Sequence, residues 1–261
     1  MGSVWAARAQ RVSKRVRSFW RRRLNPAAPW CNVCGYCGEF RDPTNGANLR
    51  ESLICGLCGS RSRDRMLIYS LGKALEKEPP LRKWPANRSL RVLETTGHGG
   101  HPFFLAKKFD YYNPRYDPDE IAAGADPRKF ADVQALPYEN KFFDCALSSD
   151  VFEHVRLDQN GFSEIYRVLK PGGVFVLQAP YIHTMEKTHI LVEPRGDEDA
   201  YLEPPQYHAG HTLVYRIYGR DLLARLEGHG FSTEHSQTEI AQHRISLQDV
   251  FVATKPGSSL V

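Results

Sequence analysis

Nowhere do the 261 residues run to eighteen consecutive apolar positions, so no transmembrane helix is expected. No apolar stretch follows the charges near the N-terminus, which argues against a secretory signal. There are no internal repeats. Acidic residues are missing from positions 1–30, where eight Lys/Arg are found, leaving 27 basic against 30 acidic residues in the rest of the chain. The body is therefore no general polyanion binder, and basic behaviour belongs to the N-terminal arm. Cysteine is scarce outside one patch, with five of the six between residues 31 and 58. That crowding, with CxxC spacing, points to a metal and against a disulfide framework. A reducing, cytoplasmic compartment is the expectation.

In the arm, Trp5, Ala9, Val12, Val16, Phe19 and Trp20 recur at helical spacing. Arg8, Arg11, Lys14, Arg15, Arg17 and Arg21–Arg23 occupy the remaining faces. Such a basic amphipathic helix can lie peripherally on an anionic membrane surface. It can also grip RNA phosphates, serve as an organellar targeting segment, or pack its stripe on its own protein. Ala6, where a Ser or Thr is needed, rules out myristoylation of Gly2.

Residues 31–60 hold Cys34/Cys37 and Cys55/Cys58 as C-x2-C-x17-C-x2-C, with Gly35, Gly38, Gly56 and Gly59 beside them. Four thiolates on two such turns suit tetrahedral zinc in a ribbon. Cys31 competes through Cys31-x2-Cys34, which leaves Cys37 over; because Cys34/Cys37 and Cys55/Cys58 carry the same C-x2-C-G turn, Cys34, Cys37, Cys55 and Cys58 are the expected ligands. A closed four-sulfur site is structural by default, and its contact with an acceptor is left open. A helix follows, with Met66, Leu67, Leu71 and Leu75 on one side, and stops at Pro79-Pro80. Arg61, Arg63 and Arg65 read either as solvated helix-terminal arginines or as groups facing a cofactor domain or anionic substrate.

The apolar runs Phe142–Leu147 and Val174–Leu177 read as buried strands. Between them Phe162, Ile165, Tyr166 and Leu169 mark a helix, ended by Pro171-Gly172-Gly173. Strand, helix and strand make a parallel βαβ unit, and the class is α/β. Ligands of open parallel sheets lie beyond the carboxyl ends of strands, here Ser148-Ser149-Asp150 and Ala179-Pro180-Tyr181.

The segments LPYENKFFDCALSSDVFEHV and EIYRVLKPGGVFVLQAPY resemble the fourth and fifth strands of class I S-adenosylmethionine-dependent methyltransferases of the type 11-like group. CGLCGSRSRDRML ahead of them resembles bacterial members with an N-terminal zinc ribbon, and the likeness spans about residues 31–255. It implies a Rossmann-like, mostly parallel sheet closed by an antiparallel hairpin, preceded by a small four-cysteine zinc ribbon. With the basic helix (1–30) read from its own residues, the expected organisation continues with the ribbon (31–60), a connecting helix and linker (61–88) and a methyltransferase domain (89–256) with a lid-like insertion (181–212). S-adenosylmethionine and structural zinc are the implied cofactors.

The family's acid-and-glycine loop falls on Glu94, but Thr96, His98 and Gly100 stand at the three glycine offsets, with Gly97 and Gly99 between them. The resemblance assigns Asp117, at the end of the second strand, to the ribose hydroxyls, with Asp119 and Glu120 as competitors. Asp132 falls near the adenine amino group with the Val133 backbone beside it, and Ser149 closes the cofactor set. Glu153-His154 is a frequent pair in the superfamily, and His154 there is usually structural. Cys145 reads as a buried strand residue. Asp150 and His183 are the candidate bases for an acceptor proton. His189, His208 and His211 lack compact metal-ligand spacing.

The expected activity is methyl transfer to an oxygen or nitrogen of a small-molecule or glycan-type acceptor. The SSDV segment differs from the Asn/Asp-Pro-Pro-Tyr type used on nucleobase amino groups. Two alternatives stand beside it. One is an RNA methyltransferase whose ribbon and arm hold RNA. The other is a noncatalytic binding module.

Overall fold

The computed structural model describes residues 2–95, 97, 99–208 and 210–257, with backbone alone for residues 2–9. Helix α1 (Gly2–Leu24) precedes a short ribbon of β1 (Phe40–Arg41) and β2 (Ile54–Cys55), then α2 (Ser62–Ala74). Next come β3 (Arg91–Glu94), α3 (His101–Lys108), β4 (Asp110–Tyr112), α4 (Pro118–Ala122), β5 (Phe143–Ser149), α5 (Asp158–Val168) and β6 (Leu169–Gln178). A run of short strands follows: β7 (His189–Ile190), β8 (Val192–Arg195), β9 (Glu198–Tyr201), β10 (Tyr207–His208), β11 (Thr212–Leu213) and β12 (Arg216–Ile217). The chain closes with α6 (Leu222–Glu227), β13 (Ser232–Ile240) and β14 (Ile245–Thr254). Two compact units result. The first comprises Met1–Ala86, His98–Lys108 and Gln237–Gln248, and the second comprises Asn87–Gly97, Phe109–Ser236 and Asp249–Val261.

The second unit is built on a six-stranded sheet of order β13-β14-β6-β5-β3-β4, whose hairpin tip (237–248) counts with the first unit. Strand β3 pairs in parallel with β4 on one side and β5 on the other, and β5 pairs in parallel with β6. Strand β14 runs antiparallel to β6. The order reverses between β3 and β5, so a crevice is expected at their carboxyl ends. Every residue of β5 except Asp144 is buried, as befits a strand covered on both faces. The expected helix is α5, which buries Phe162, Ile165 and Val168 in the main core with Phe143, Phe152, Phe175 and Phe251. Phe152 and Phe162 stack with their rings 4.6 Å apart.

Two expectations change in detail. Pro171-Gly172-Gly173 does not separate α5 from β6, because α5 already ends at Val168 and the three residues lie within β6. The register jumps from Phe143–Leu169 to Cys145–Val174 across them, and Gly172 takes φ +78° to let the strand bulge. Residues 181–212, expected as a lid-like insertion, hold short paired strands. Three antiparallel pairs, β7–β12, β8–β9 and β10–β11, organise them, with Leu191, Val192 and Val214 as a small core.

In the first unit, α1 meets the ribbon through its polar side. Lys14 Nζ donates to Gly56 O (2.8 Å), Ser18 Oγ accepts the Cys37 N–H (2.7 Å), and Arg22 lies over the Trp30 ring (4.1 Å). Val12, Val16, Phe19 and Trp20, the stripe that could have packed inward, are exposed. The arginines at the start of α2 also differ from either expectation. Arg65 is fully buried and Arg63 nearly so, with Arg63 Nε 2.8 Å from Glu51 Oε1 and Arg61 Nη1 3.1 Å from Glu51 Oε2. Arg63 and Arg65 are internal struts, while Arg61 stays partly exposed.

Removing an interlocked core ring leaves a cavity that its neighbours fill only in part. Phe162→Ala should lower the unfolding free energy by about 3–5 kcal/mol, read from the midpoint of urea unfolding of the whole chain.

Candidate functional site

Glu94, the last residue of β3, is fully buried. Its Oε1 accepts the Gly97 N–H (3.3 Å) and its Oε2 accepts the Tyr111 hydroxyl. Burial and the Glu94 charge push the Tyr111 pKa well above that of an ordinary tyrosine, so the phenol stays protonated and keeps donating. Gly97 has φ +53°, and a Cβ there would come within 2.0 Å of the Asn113 amide, so backbone freedom and space both require glycine. Thr95 Oγ1 donates to Ser148 Oγ (2.9 Å), linking the ends of β3 and β5. Ser149 is buried at the end of β5.

Thr96 and His98 lie outside the described residues. Gly99 and Gly100 belong to the first unit, and their surroundings there account for them. A Cβ on Gly99 would meet Asp64 Oδ2 at 2.4 Å, and one on Gly100 would meet Cys58 O at 2.0 Å. Asp64 is itself engaged, accepting the Arg61 N–H (2.8 Å) at the start of α2. These glycines are needed by packing, whatever else they do.

Strand β4 stops at Tyr112, short of the expected end at Asp117, and Asn113 follows it directly. Pro114 offers no N–H to continue a ladder, and Arg115 instead exchanges backbone bonds with Lys129 and Ala131. Asp117 caps α4, its carboxylate accepting the Glu120 N–H at 3.3 Å. Asp132 Oδ1 accepts the Gln134 N–H (2.8 Å), and the Val133 side chain is in the core. Asp150 follows β5 at φ +54°, with its N–H on Gln178 O (3.0 Å). His183 lies exposed in the turn after β6.

The thiol cluster differs from the expected one by a residue. Cys31, Cys34, Cys55 and Cys58 have their Sγ atoms within 4.8 Å of one another, and Cys37 is not among them. The 31–58 and 34–55 sulfur pairs are 3.8 and 3.7 Å apart, close to the edge of about 3.8 Å of a tetrahedron with 2.3 Å metal–sulfur bonds. Two matching turns carry the cluster: Gly35 N donates to Cys31 O (2.7 Å) and Gly59 N to Cys55 O (2.9 Å). Gly35 and Gly59 have φ +77° and +78°, whereas Gly38 does not take that conformation. Cys37 instead gives its backbone N–H to Ser18.

Arg65 stands beside these sulfurs, a role the spacing of the sequence did not suggest. Its guanidinium donates to the carbonyls of His243 (2.9 Å), Ser60 (2.5 Å), Leu53 (2.8 Å) and Arg244 (2.5 Å). Burial raises the Cys31 pKa, but hydrogen bonds from Cys34, Cys55 and Cys58 and the Arg65 charge outweigh it and leave that thiol well below the ordinary value. Tyr111 and Asn113 are the other contributors that the motif reading missed. A hydroxyl facing a buried acid across two neighbouring strands leaves no short-range signal.

Residues 103–177 match the family model of the methyltransferase domain. An uncharacterized methyltransferase of Mycobacterium tuberculosis is 37% identical over 123 residues, covering 42% of this chain and 44% of the relative. One from Mycolicibacterium paratuberculosis is 37% identical over 118 residues, covering 38% and 46%. The chain spans under half the length of these curated relatives. A solved S-adenosylmethionine-dependent methyltransferase from Mesorhizobium loti covers 75% of this chain and 98% of its own, at 17% identity and a TM-score of 0.48. Residues 103–177 are thus similar to a methyltransferase domain, and they lie in a Rossmann-like, mostly parallel sheet.

The two turns make a direct test. Cys31→Ser should reduce the zinc content of the purified chain well below one per molecule, measured by mass spectrometry of the metal, while Cys37→Ser should leave it unchanged. The reverse pattern would return the ligand set to Cys34, Cys37, Cys55 and Cys58.

Proposed function

We propose that the chain is an S-adenosylmethionine-dependent methyltransferase acting on an oxygen or nitrogen of a small-molecule or glycan-type acceptor, with a structural zinc held by Cys31, Cys34, Cys55 and Cys58. The observation that carries this reading is the buried Glu94 at the order reversal of the sheet, holding the Gly97 loop at the end of β3. The residues present fit the cofactor. Gly97 keeps the backbone bare where Asn113 already fills the space of a Cβ, and Asp117 and Asp132 offer half-buried carboxylates to hydroxyl and amino donors.

When bound, S-adenosylmethionine supplies a methyl group made electrophilic by its sulfonium. The protein then has mainly to position the acceptor in line and exclude water. Glu94 fixes the loop, Asp117 and Asp132 would hold the ribose and adenine ends, and Ser149 borders the strand end. Asp150, kept at the carboxyl end of β5 by its bond to Gln178, is assigned the acceptor proton, with His183 as the second candidate base. Zinc in a closed four-sulfur site has no position left for chemistry, so its part is to fold the ribbon.

The apolar ridge of α1 extends the reading to location. Val12, Val16, Phe19, Trp20 and Leu24 are each more than half exposed beside a set of arginines with no acid within residues 1–30. An anionic bilayer surface matches both the apolar ridge and the charge, which makes the protein a peripheral one on the cytoplasmic side.

Calorimetric titration of the zinc-loaded chain with S-adenosylhomocysteine should show micromolar binding, lost in an Asp117→Ala, Asp132→Ala double variant. No binding by the parent chain would favour a noncatalytic module. Flotation with phosphatidylglycerol vesicles should carry the parent chain and leave Phe19→Ser, Trp20→Ser behind. Salt-sensitive RNA binding lost with residues 1–30, and no flotation, would turn the reading to an RNA methyltransferase.

A further inference from the structure

Beyond the thiol cluster, a second set of metal-type donors converges in the second unit. Glu153 and His154 lie in the single turn after β5, and His208 lies on β10. His154 Nε2 is 3.0 Å from His208 Nδ1, and Glu153 Oε1 is 3.6 Å from the first nitrogen and 3.8 Å from the second. A triangle with these sides has a circumradius of about 2.0 Å, the bond length of a first-row divalent ion to imidazole nitrogen and carboxylate oxygen. One point is thus at bonding distance from all three atoms. We propose that Glu153, His154 and His208 bind a divalent first-row transition ion.

The tautomer supports the assignment. His154 Nδ1 lies 2.7 Å from the carbonyl oxygen of Leu213, which can only accept. Nδ1 therefore carries the proton and, in the neutral ring, Nε2 turns a lone pair toward Glu153 and His208. A backbone carbonyl fixing the far nitrogen is the usual partner of a ligating histidine. Both the carbonyl and His208 come from one hairpin, since His208 pairs with Thr212 and Tyr207 with Leu213.

The turn carrying the other two donors is held firmly. Buried Arg216 donates to the carbonyls of Phe152 (3.0 Å), Val155 (2.5 Å) and Arg156 (2.8 Å), and the Tyr215 N–H donates to Glu153 O (2.8 Å). Such support keeps ligand atoms in place before an ion arrives. Glu153 is fully buried, while the His208 side chain is 52% exposed and leaves a way in. Two imidazoles and one carboxylate favour manganese through zinc over magnesium or calcium, which prefer oxygen shells. Three protein ligands leave positions for water or for an oxygen donor of a bound molecule. Metal binding here stands whether or not the chain transfers methyl groups.

Cobalt(II) titration of the zinc-loaded full chain tests the site by absorption spectroscopy. One further cobalt per chain is expected, with ligand-field bands and without the sulfur-to-cobalt charge transfer that marks the thiol cluster. His208→Ala, at an exposed position that the fold tolerates, should weaken this binding at least tenfold, and Glu153→Gln should do the same in whatever fraction folds. Cobalt entering only the thiol cluster, or binding of unchanged affinity in His208→Ala, would overturn the assignment.

Discussion

The buried guanidinium of Arg65 is the contact on which the first unit depends. Residues 31–60 contain two strands of two residues each, too little regular structure to form a core of their own. Four sulfurs substitute for that core, and as thiolates they would gather negative charge in a desolvated place. Arg65 answers it with a cation that burial and four carbonyls hold still. Those carbonyls come from the ribbon (Leu53, Ser60) and from the hairpin tip (His243, Arg244), and α2 carries the guanidinium. One side chain thus joins three sequence segments to the cluster. A lysine could not replace it, because a point charge has neither the five donors nor their planar spread.

In the second unit the same economy is seen with the sign reversed. Glu94 is a buried carboxylate, and the loop N–H of Gly97 and the Tyr111 hydroxyl satisfy it. An acid at that place shapes the loop after β3 through its hydrogen bonds to the Gly97 N–H and the Tyr111 hydroxyl. The parallel pairing of β3 with β4 and β5 then sets the loop at the reversal of strand order. Site and topology are in this sense one feature. Moving the acid by one residue would turn its side chain to the other face of the sheet.

How much of this was legible in the sequence depended on the range of the signal. The βαβ unit was clear, because Phe162, Ile165 and Tyr166 keep helical spacing between two buried runs. The thiol cluster was nearly so, but C-x2-C-G describes both Cys31–Gly35 and Cys34–Gly38, since Cys34 is shared. What separates the frames is the positive φ of Gly35, which spacing does not encode. Resemblance puts Asp117 at a strand end, whereas Pro114, which offers no N–H to a ladder, closes the strand earlier. The approach of His208 to Glu153 and His154 depends on a hairpin more than fifty residues further on, and no local pattern reports it.

Helix α1 brings the two kinds of surface into conflict. Lys14, Ser18 and Arg22, each four residues from the next, form a ridge that faces the ribbon through hydrogen bonds and a ring contact. The neighbouring ridge of Val12, Val16, Trp20 and Leu24 is left in water. Burial of apolar surface is the stronger drive in most helices, so a helix settling on its own protein for stability alone would turn the other way. Polar anchoring costs little when each donor finds a carbonyl or hydroxyl, and it leaves the apolar ridge available. Single exposed apolar residues need no explanation, but a continuous ridge edged by arginines does. The anionic bilayer surface proposed for it would satisfy both halves of that ridge at once, which a neutral apolar partner would not.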